Sequence, residues 1–181
     1  MTTRPEEPPG IGNSFCGAHV RLLLASFRRC TGRDLIAPDG GPVSGPVSGP
    51  VSAPDGGPVS CIGDLGRRVF EAPFAVVSHG RGADPRFTYG NRVALALFEV
   101  SWAELLATPS RLSAEPVEQA ERARLLARVR DHGFIDDYSG VRVSRTGRRF
   151  RIAGAVVWTL RDEEGADFGQ AATFRDWQPL A

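Results

Sequence analysis

The sequence predicts an α+β domain in which a five-stranded antiparallel sheet carries a helical cover, preceded by an N-terminal helix. Three observations carry that prediction. From Phe134 onward the apolar residues recur with period 2 rather than 3.6, the spacing of strands rather than helices. The turn signals Thr146-Gly147 and Asp162-Glu163-Glu164-Gly165 leave no room for crossover helices, so the strands they join pair antiparallel. Ahead of them, a strand-like Phe87-Thr88-Tyr89 gives way at Asn91 to closely spaced helix starts.

Residues 1–14 are rich in Pro, Glu and Gly and are expected to be a disordered N-terminus. An N-terminal helix follows within residues 15–36, running from Phe15 to Thr31. On it Val20, Leu23, Leu24 and Phe27 keep helical spacing, and Gly32 supplies a stop. That stripe needs an apolar partner, either the main sheet of this chain or a second copy in a homodimer. Residues 37–60 are a low-complexity insert in which Ala-Pro-Asp-Gly-Gly-Pro-Val-Ser occurs twice, at 37–44 and 53–60. The repeat of four excludes a collagen triple helix, and the Pro and Gly content points to a flexible, partly polyproline-like spacer.

The core is expected over residues 61–178. It opens with a short helix from Gly63 to Glu71, ended by Pro73. Phe74 to Ser78 reads as the first strand, His79 to Pro85 as a turn and Arg86 to Tyr89 as the second strand. Asn91 then caps a helix on which Val93, Leu97 and Val100 recur at helical spacing, widened by Ala94 and Phe98. Ser101 and Glu104 form a capping box for another. Strand, turn and two short helices together make a clasp of the kind that lines pockets. Ser113 is expected to cap a longer helix reaching His132, with Pro116 in its first turn, Leu125, Leu126 and Val129 on its apolar side and Glu118–Arg122 as an i, i+4 pair. Three strands complete the chain: Phe134 to Ser144, Arg149 to Arg161 and Phe168 to Trp177. Strict alternation places Phe150, Ile152, Gly154, Val156, Trp158 and Leu160 on one face of the second, and Phe168, Gln170, Ala172 and Phe174 on one face of the third.

Composition limits the partners. Of the residues 41% are hydrophobic, enough for a core, and the net charge of +1 gives no bulk attraction to nucleic acid or an anionic membrane. All 22 basic residues are Arg, dispersed along the chain, and those of the longer helix alternate with Glu and Asp as a solvated face does. Cys16, Cys30 and Cys61 show no metal-ligand spacing. Their odd number, the lack of a secretory h-region and the lack of an apolar run of roughly 20 residues lead us to expect a cytoplasmic protein with reduced thiols.

No nucleophile-base constellation emerges. Asp136 and Asp137 are strand neighbours that alternation sends to opposite faces, Ser78-His79 has the same difficulty, and no Gly-x-Ser-x-Gly elbow is present. His79 reads as a hydrogen-bonded turn residue. No catalytic and no metal-binding set is therefore assigned.

Six motifs in order sharpen the picture: Pro-Phe-Ala-Val-Val-Ser-His-Gly at 73–80, Phe-Thr-Tyr-Gly-Asn-Arg at 87–92, Pro-Ser-Arg-Leu-Ser-Ala-Glu-Pro at 109–116, Gly-Phe-Ile-Asp-Asp-Tyr-Ser-Gly at 133–140, Gly-Arg-Arg-Phe at 147–150 and Gly-Gln-Ala-Ala-Thr-Phe at 169–174. Together they resemble the MEKHLA family, whose fold is PAS-like and which occurs both as stand-alone bacterial proteins and at the C-terminus of plant homeodomain leucine-zipper regulators. The terminal Met-Glu-Lys-His-Leu-Ala signature of the plant members is absent, and the chain carries no homeodomain or zipper.

The resemblance implies a sensory or regulatory module whose cavity takes a small molecule non-covalently, or which engages a protein partner. A purely structural dimerisation module and a small-molecule enzyme are the alternatives. It also implies which cofactors fit poorly. A covalent flavin or other chromophore adduct needs a Cys in the helices after Asn91, and none occurs beyond Cys61; haem finds only His132 near the longer helix. The cofactor itself stays open. Asn91, Trp102, Arg111, Tyr138, Trp158 and Gln170 are the cavity candidates, each with a structural role to weigh against it: helix cap for Asn91, core aromatic for the tryptophans, an ion pair with Asp136 or Asp137 for Arg111, and core filling for the sheet residues Tyr138 and Gln170.

Overall fold

The computed structural model describes residues 7–36 and 59–181, without the side chains of 59–63, 116–119, 121 and 122. Of residues 1–14, expected to be disordered, the structure describes only those from Glu7 onward. Most of the insert, the Cys61 thiol and the Glu118–Arg122 pair lie outside the described residues.

A 3-10 turn at Ile11–Asn13 leads into α1 (Gly17–Thr31). The helix begins two residues later than its apolar pattern suggests because Ser14, Phe15 and Cys16 all take left-handed backbone angles, with φ of 51°, 53° and 59°. Then come α2 (Val59–Phe70), β1 (Ala75–His79), β2 (Phe87–Gly90), α3 (Arg92–Phe98) and α4 (Trp102–Ala107). A 3-10 turn at Ser110–Ser113 is followed by α5 (Pro116–His132) and four strands, β3 (Phe134–Val143), β4 (Arg149–Arg161), β5 (Asp167–Phe174) and β6 (Asp176–Pro179). The sheet is antiparallel in the order β2-β1-β5-β4-β3, and β6 also pairs with β4. Since Val156 faces Thr173 and Ala153 faces Asp176, β6 carries on the pairing of β5 in unbroken register.

Two apolar layers sandwich this sheet. On the outer side α1 lies over β4 and against α2, burying Val20, Leu23 and Phe27 with Trp158, Leu160, Phe74 and Val76. The stripe of α1 therefore rests on the chain's own sheet. Trp158 donates its indole N–H to Ser26 Oγ at 3.1 Å and meets Phe27 edge-on, while the Arg29 guanidinium donates to the carbonyls of Arg161 and Asp162. On the inner side α3 and α5 cover Val77, Phe87, Tyr138, Phe150, Ile152, Ala155, Val157 and Phe174.

The alternation expected for β4 breaks in the middle. Phe150 and Ile152 belong to the inner layer and Val156, Trp158 and Leu160 to the outer one, because Gly154 at φ 59° inserts a kink that swaps the faces. Likewise Gln170, Ala172 and Phe174 face inward but Phe168 packs outward, with Gly169 at φ 116° between them. Ser113 does not cap α5. Its hydroxyl donates to the Ser110 carbonyl within the preceding 3-10 turn, and Glu115 holds the cap position without a side-chain bond.

The clasp forms as the sequence predicts. Asn91 Oδ1 accepts from Ala94 N–H at 3.1 Å, and Ser101 and Glu104 complete their reciprocal box. Glu99, left-handed at the end of α3, reaches the β3–β4 turn, where its carboxylate accepts from Ser144, Thr146 and Arg148. These bonds, led by that from Thr146, hold its carboxyl down to about 2 from an ordinary 4.5. A depressed carboxyl stabilises the fold fully above its unfolded value and loses that contribution as pH falls through its folded one. The melting temperatures of wild type and Glu99→Gln are therefore expected to differ at pH about 6 and to converge between pH about 4.5 and 2. A constant gap across that range would contradict the clamp.

Candidate functional site

Between the inner face of the sheet and its helical cover lies a cavity of about 50 Å³, walled by Val77, Phe87, Phe98, Leu125, Leu126, Ile152, Ala155, Val157, Ala172 and Phe174. Polar residues join this wall from different elements: Ser78 and His79 of β1, Ser113 ahead of α5, Tyr138 and Arg142 on β3, and Gln170 on β5. Space for about four water-sized spheres is far less than the few hundred Å³ of a typical organic cofactor pocket. The site accommodates a small molecule only.

His79, Leu126 and Gln170 also line an open cleft of about 600 Å³ between the β1–β2 turn, α5 and the start of β5. They form the partition between cavity and surface. His79 Nδ1 bonds the Gly80 carbonyl at 2.8 Å, and Gln170 Nε2 donates to the Leu126 carbonyl at 2.9 Å, fastening β5 to α5. The cleft carries Arg81, Arg111 and Arg130 against Asp84 and Asp167.

Of the six predicted residues, Tyr138 and Gln170 meet in the cavity. Arg111 stands in the adjoining cleft, where its Nε and Nη2 donate to the two carboxylate oxygens of Asp84 at 2.9 and 3.3 Å. The expected pair with Asp136 or Asp137 does not form: Asp136 pairs instead with Arg33, and both aspartates are exposed where the register of β3 shifts. The other three lie elsewhere. Asn91 is fully buried and uses all four hydrogen-bonding positions, accepting from Val76 and Ala94 and donating to Val69 and Phe74. Trp158 is in the outer layer beneath α1, where the face swap at Gly154 puts it.

Trp102 is also in the outer layer, edge-on to Tyr89. The Trp102 indole N–H and the Tyr89 hydroxyl are buried without a hydrogen-bond partner among the described residues. Burial, and secondarily the nearby Cys16, push the Tyr89 phenol upward, while burial pushes the Cys16 thiol up to about 12, so that thiol stays protonated and unreactive.

Sequence reasoning kept His79 as a turn residue only and missed a second polar residue of the cavity, Arg142. Its guanidinium is buried, donates to the Tyr138 hydroxyl and the Val141 carbonyl at 2.8 Å each, and lies 5.0 Å from the Tyr138 ring centre. The available signal was an arginine two positions along the strand from Gly140, which alternation puts on one face; the register shift between Tyr138 and Gly140 hid Tyr138 from the same reasoning. Among the described residues no group of three or more His, Cys, Asp or Glu side chains is placed to hold a metal ion, and no helix is long and apolar enough to cross a membrane.

Comparison with known proteins agrees with this architecture. No curated protein matches the chain. Among solved structures, the PAS domain of a protein from Colwellia psychrerythraea aligns over 66% of this chain and 97% of that one, with a TM-score of 0.56 and 11% identity. An RNA-binding light-oxygen-voltage receptor aligns over 72% of this chain but 37% of its own length, with the same TM-score and 18% identity. At these identities the likeness establishes the fold. The family model for the MEKHLA domain matches residues 56–179, which takes in every strand and the whole cavity, so the chain belongs to the MEKHLA family and has its PAS-like α+β fold.

Proposed function

We propose that this protein is a cytoplasmic sensory or regulatory module whose inner cavity binds a small molecule non-covalently. The observation that carries the reading is the convergence of His79, Tyr138, Arg142 and Gln170 on a space whose walls are mostly apolar. Signalling needs a link from the cavity to the outer surface, and β1 offers one. Its Val77 and His79 line the cavity, while the intervening Ser78 hydroxyl bonds His19 of α1 at 2.9 Å and Thr88 of β2 at 2.8 Å. A ligand that favours one position of β1 thereby favours one docking of α1, and can shift the equilibrium only by its difference in affinity for the two states. Any protein partner would then read α1 or the surface it covers.

Thermal shift with a panel of uncharged and charged compounds of about three to five heavy atoms tests the reading. At least one compound is expected to raise the melting temperature of wild type and not of Ala155→Leu, which fills the cavity from its β4 wall. Equal responses in the two proteins, or none in either, would favour a structural interaction module.

A further inference from the structure

We infer that the cavity's ligand is a small monocarboxylate, held by the guanidinium of Arg142 and the hydroxyl of Tyr138, with its short aliphatic tail against the apolar wall. This inference rests on the sensory reading of the same cavity and names its ligand class. Arg142 is only 7% exposed, yet no described carboxylate pairs with it. Other arginines of the chain do find acidic partners, all with substantially exposed guanidiniums. A cation withdrawn from water without a counter-charge is costly, and an incoming anion removes that cost.

The bonding capacity at the site also points to a carboxylate. Of the five N–H groups of a guanidinium, Arg142 commits one to the Val141 carbonyl and one to Tyr138, leaving three donors that a carboxylate's two oxygens can take up. The Tyr138 oxygen accepts from Arg142, which leaves its own proton available for a second carboxylate oxygen. Gly140 makes this pairing sterically possible, since a Cβ there would lie 2.3 Å from Tyr138 Oη. One cation within apolar walls suits a monoanion rather than a phosphate dianion. The volume of about 50 Å³ suits acetate or propionate. Entry past His79 and Gln170 proceeds from a cleft with three arginines and two aspartates, a mouth that favours anions.

The test is titration of the full chain, at constant ionic strength, with acetate, propionate and butyrate, alongside the uncharged isosteres acetamide and propionamide. The carboxylates are expected to raise the melting temperature and the amides to leave it unchanged. Arg142→Gln is expected to weaken propionate binding at least tenfold, and Tyr138→Phe to weaken it several-fold. Should Arg142→Gln fail to fold, Tyr138→Phe and the acid-amide contrast decide the matter. Amides as effective as acids, or propionate binding unchanged in either variant, would overturn the assignment. An uncharged compound that binds wild type but not Ala155→Leu, with carboxylates inactive, would overturn the carboxylate while leaving the sensory reading in place; inactivity of every compound would remove both.

Discussion

Asn91→Ala is expected to destabilise the fold by about 4 kcal/mol and to lower the melting temperature by roughly 8–16 °C. Capping alone contributes about 1 kcal/mol of this. The remainder reflects where the side chain sits. It binds the end of α2 through the Val69 carbonyl, the entry to β1 through the Phe74 carbonyl, β1 itself through the Val76 amide, and the first turn of α3 through the Ala94 amide, all in full burial. Truncation leaves those groups without a partner where water does not reach, at about 1–3 kcal/mol for each that finds no substitute. Asn91→Asp is expected to be at least as harmful, because it removes both donors and buries a charge. Chemical denaturation measures the effect; a loss below about 1 kcal/mol would reduce Asn91 to a simple helix cap.

Gly169→Ala is expected to cost on the order of 3 kcal/mol or more, or to prevent folding. At φ 116° the backbone is in a region that a side chain tolerates poorly, and a Cβ would meet the His79 carbonyl oxygen at 2.0 Å. The clash is with backbone of the paired strand, so no rotamer relieves it. Relief requires β1 and β5 to separate at the point where His79 and Gln170 divide cavity from cleft. A soluble Gly169→Ala protein should therefore show altered access to the cavity as well as reduced stability. Wild-type stability in this variant would mean that the two strands are not held at the described spacing.

How far the sequence leads depends on the range of the interaction that fixes each feature. Asn91, the Ser101-Glu104 box and the apolar stripe of α1 are local signals, and the structure places all three where the residues predict. Strand identities follow from period 2 in the same way. Faces do not, because a single positive φ at Gly154 or Gly169 inverts every later side chain, and glycine in a strand signals a bend without giving its sense. That inversion moved Trp158 to the outer layer and separated Phe168 from Gln170. Long-range charge pairing was equally hidden: Asp136 or Asp137 was the expected partner of Arg111, and the tertiary fold brings it Asp84 instead. The site was partly legible. Tyr138 and Gln170 were reached from the family resemblance, which implies a cavity facing the sheet, whereas Arg142 looks like one more dispersed arginine until its burial and its lack of a carboxylate are seen together.

The most direct measurement is a two-dimensional amide NMR spectrum of the ¹⁵N-labelled chain, recorded with and without saturating propionate. The predicted result is a set of shift changes concentrated in Val77–His79, Tyr138–Val143 and Gln170–Phe174, extending through Ser78 and His19 into α1, and abolished by Ala155→Leu. Changes confined to exposed arginines, or an unchanged spectrum, would contradict a cavity that binds an anion and reports it to the outer helix.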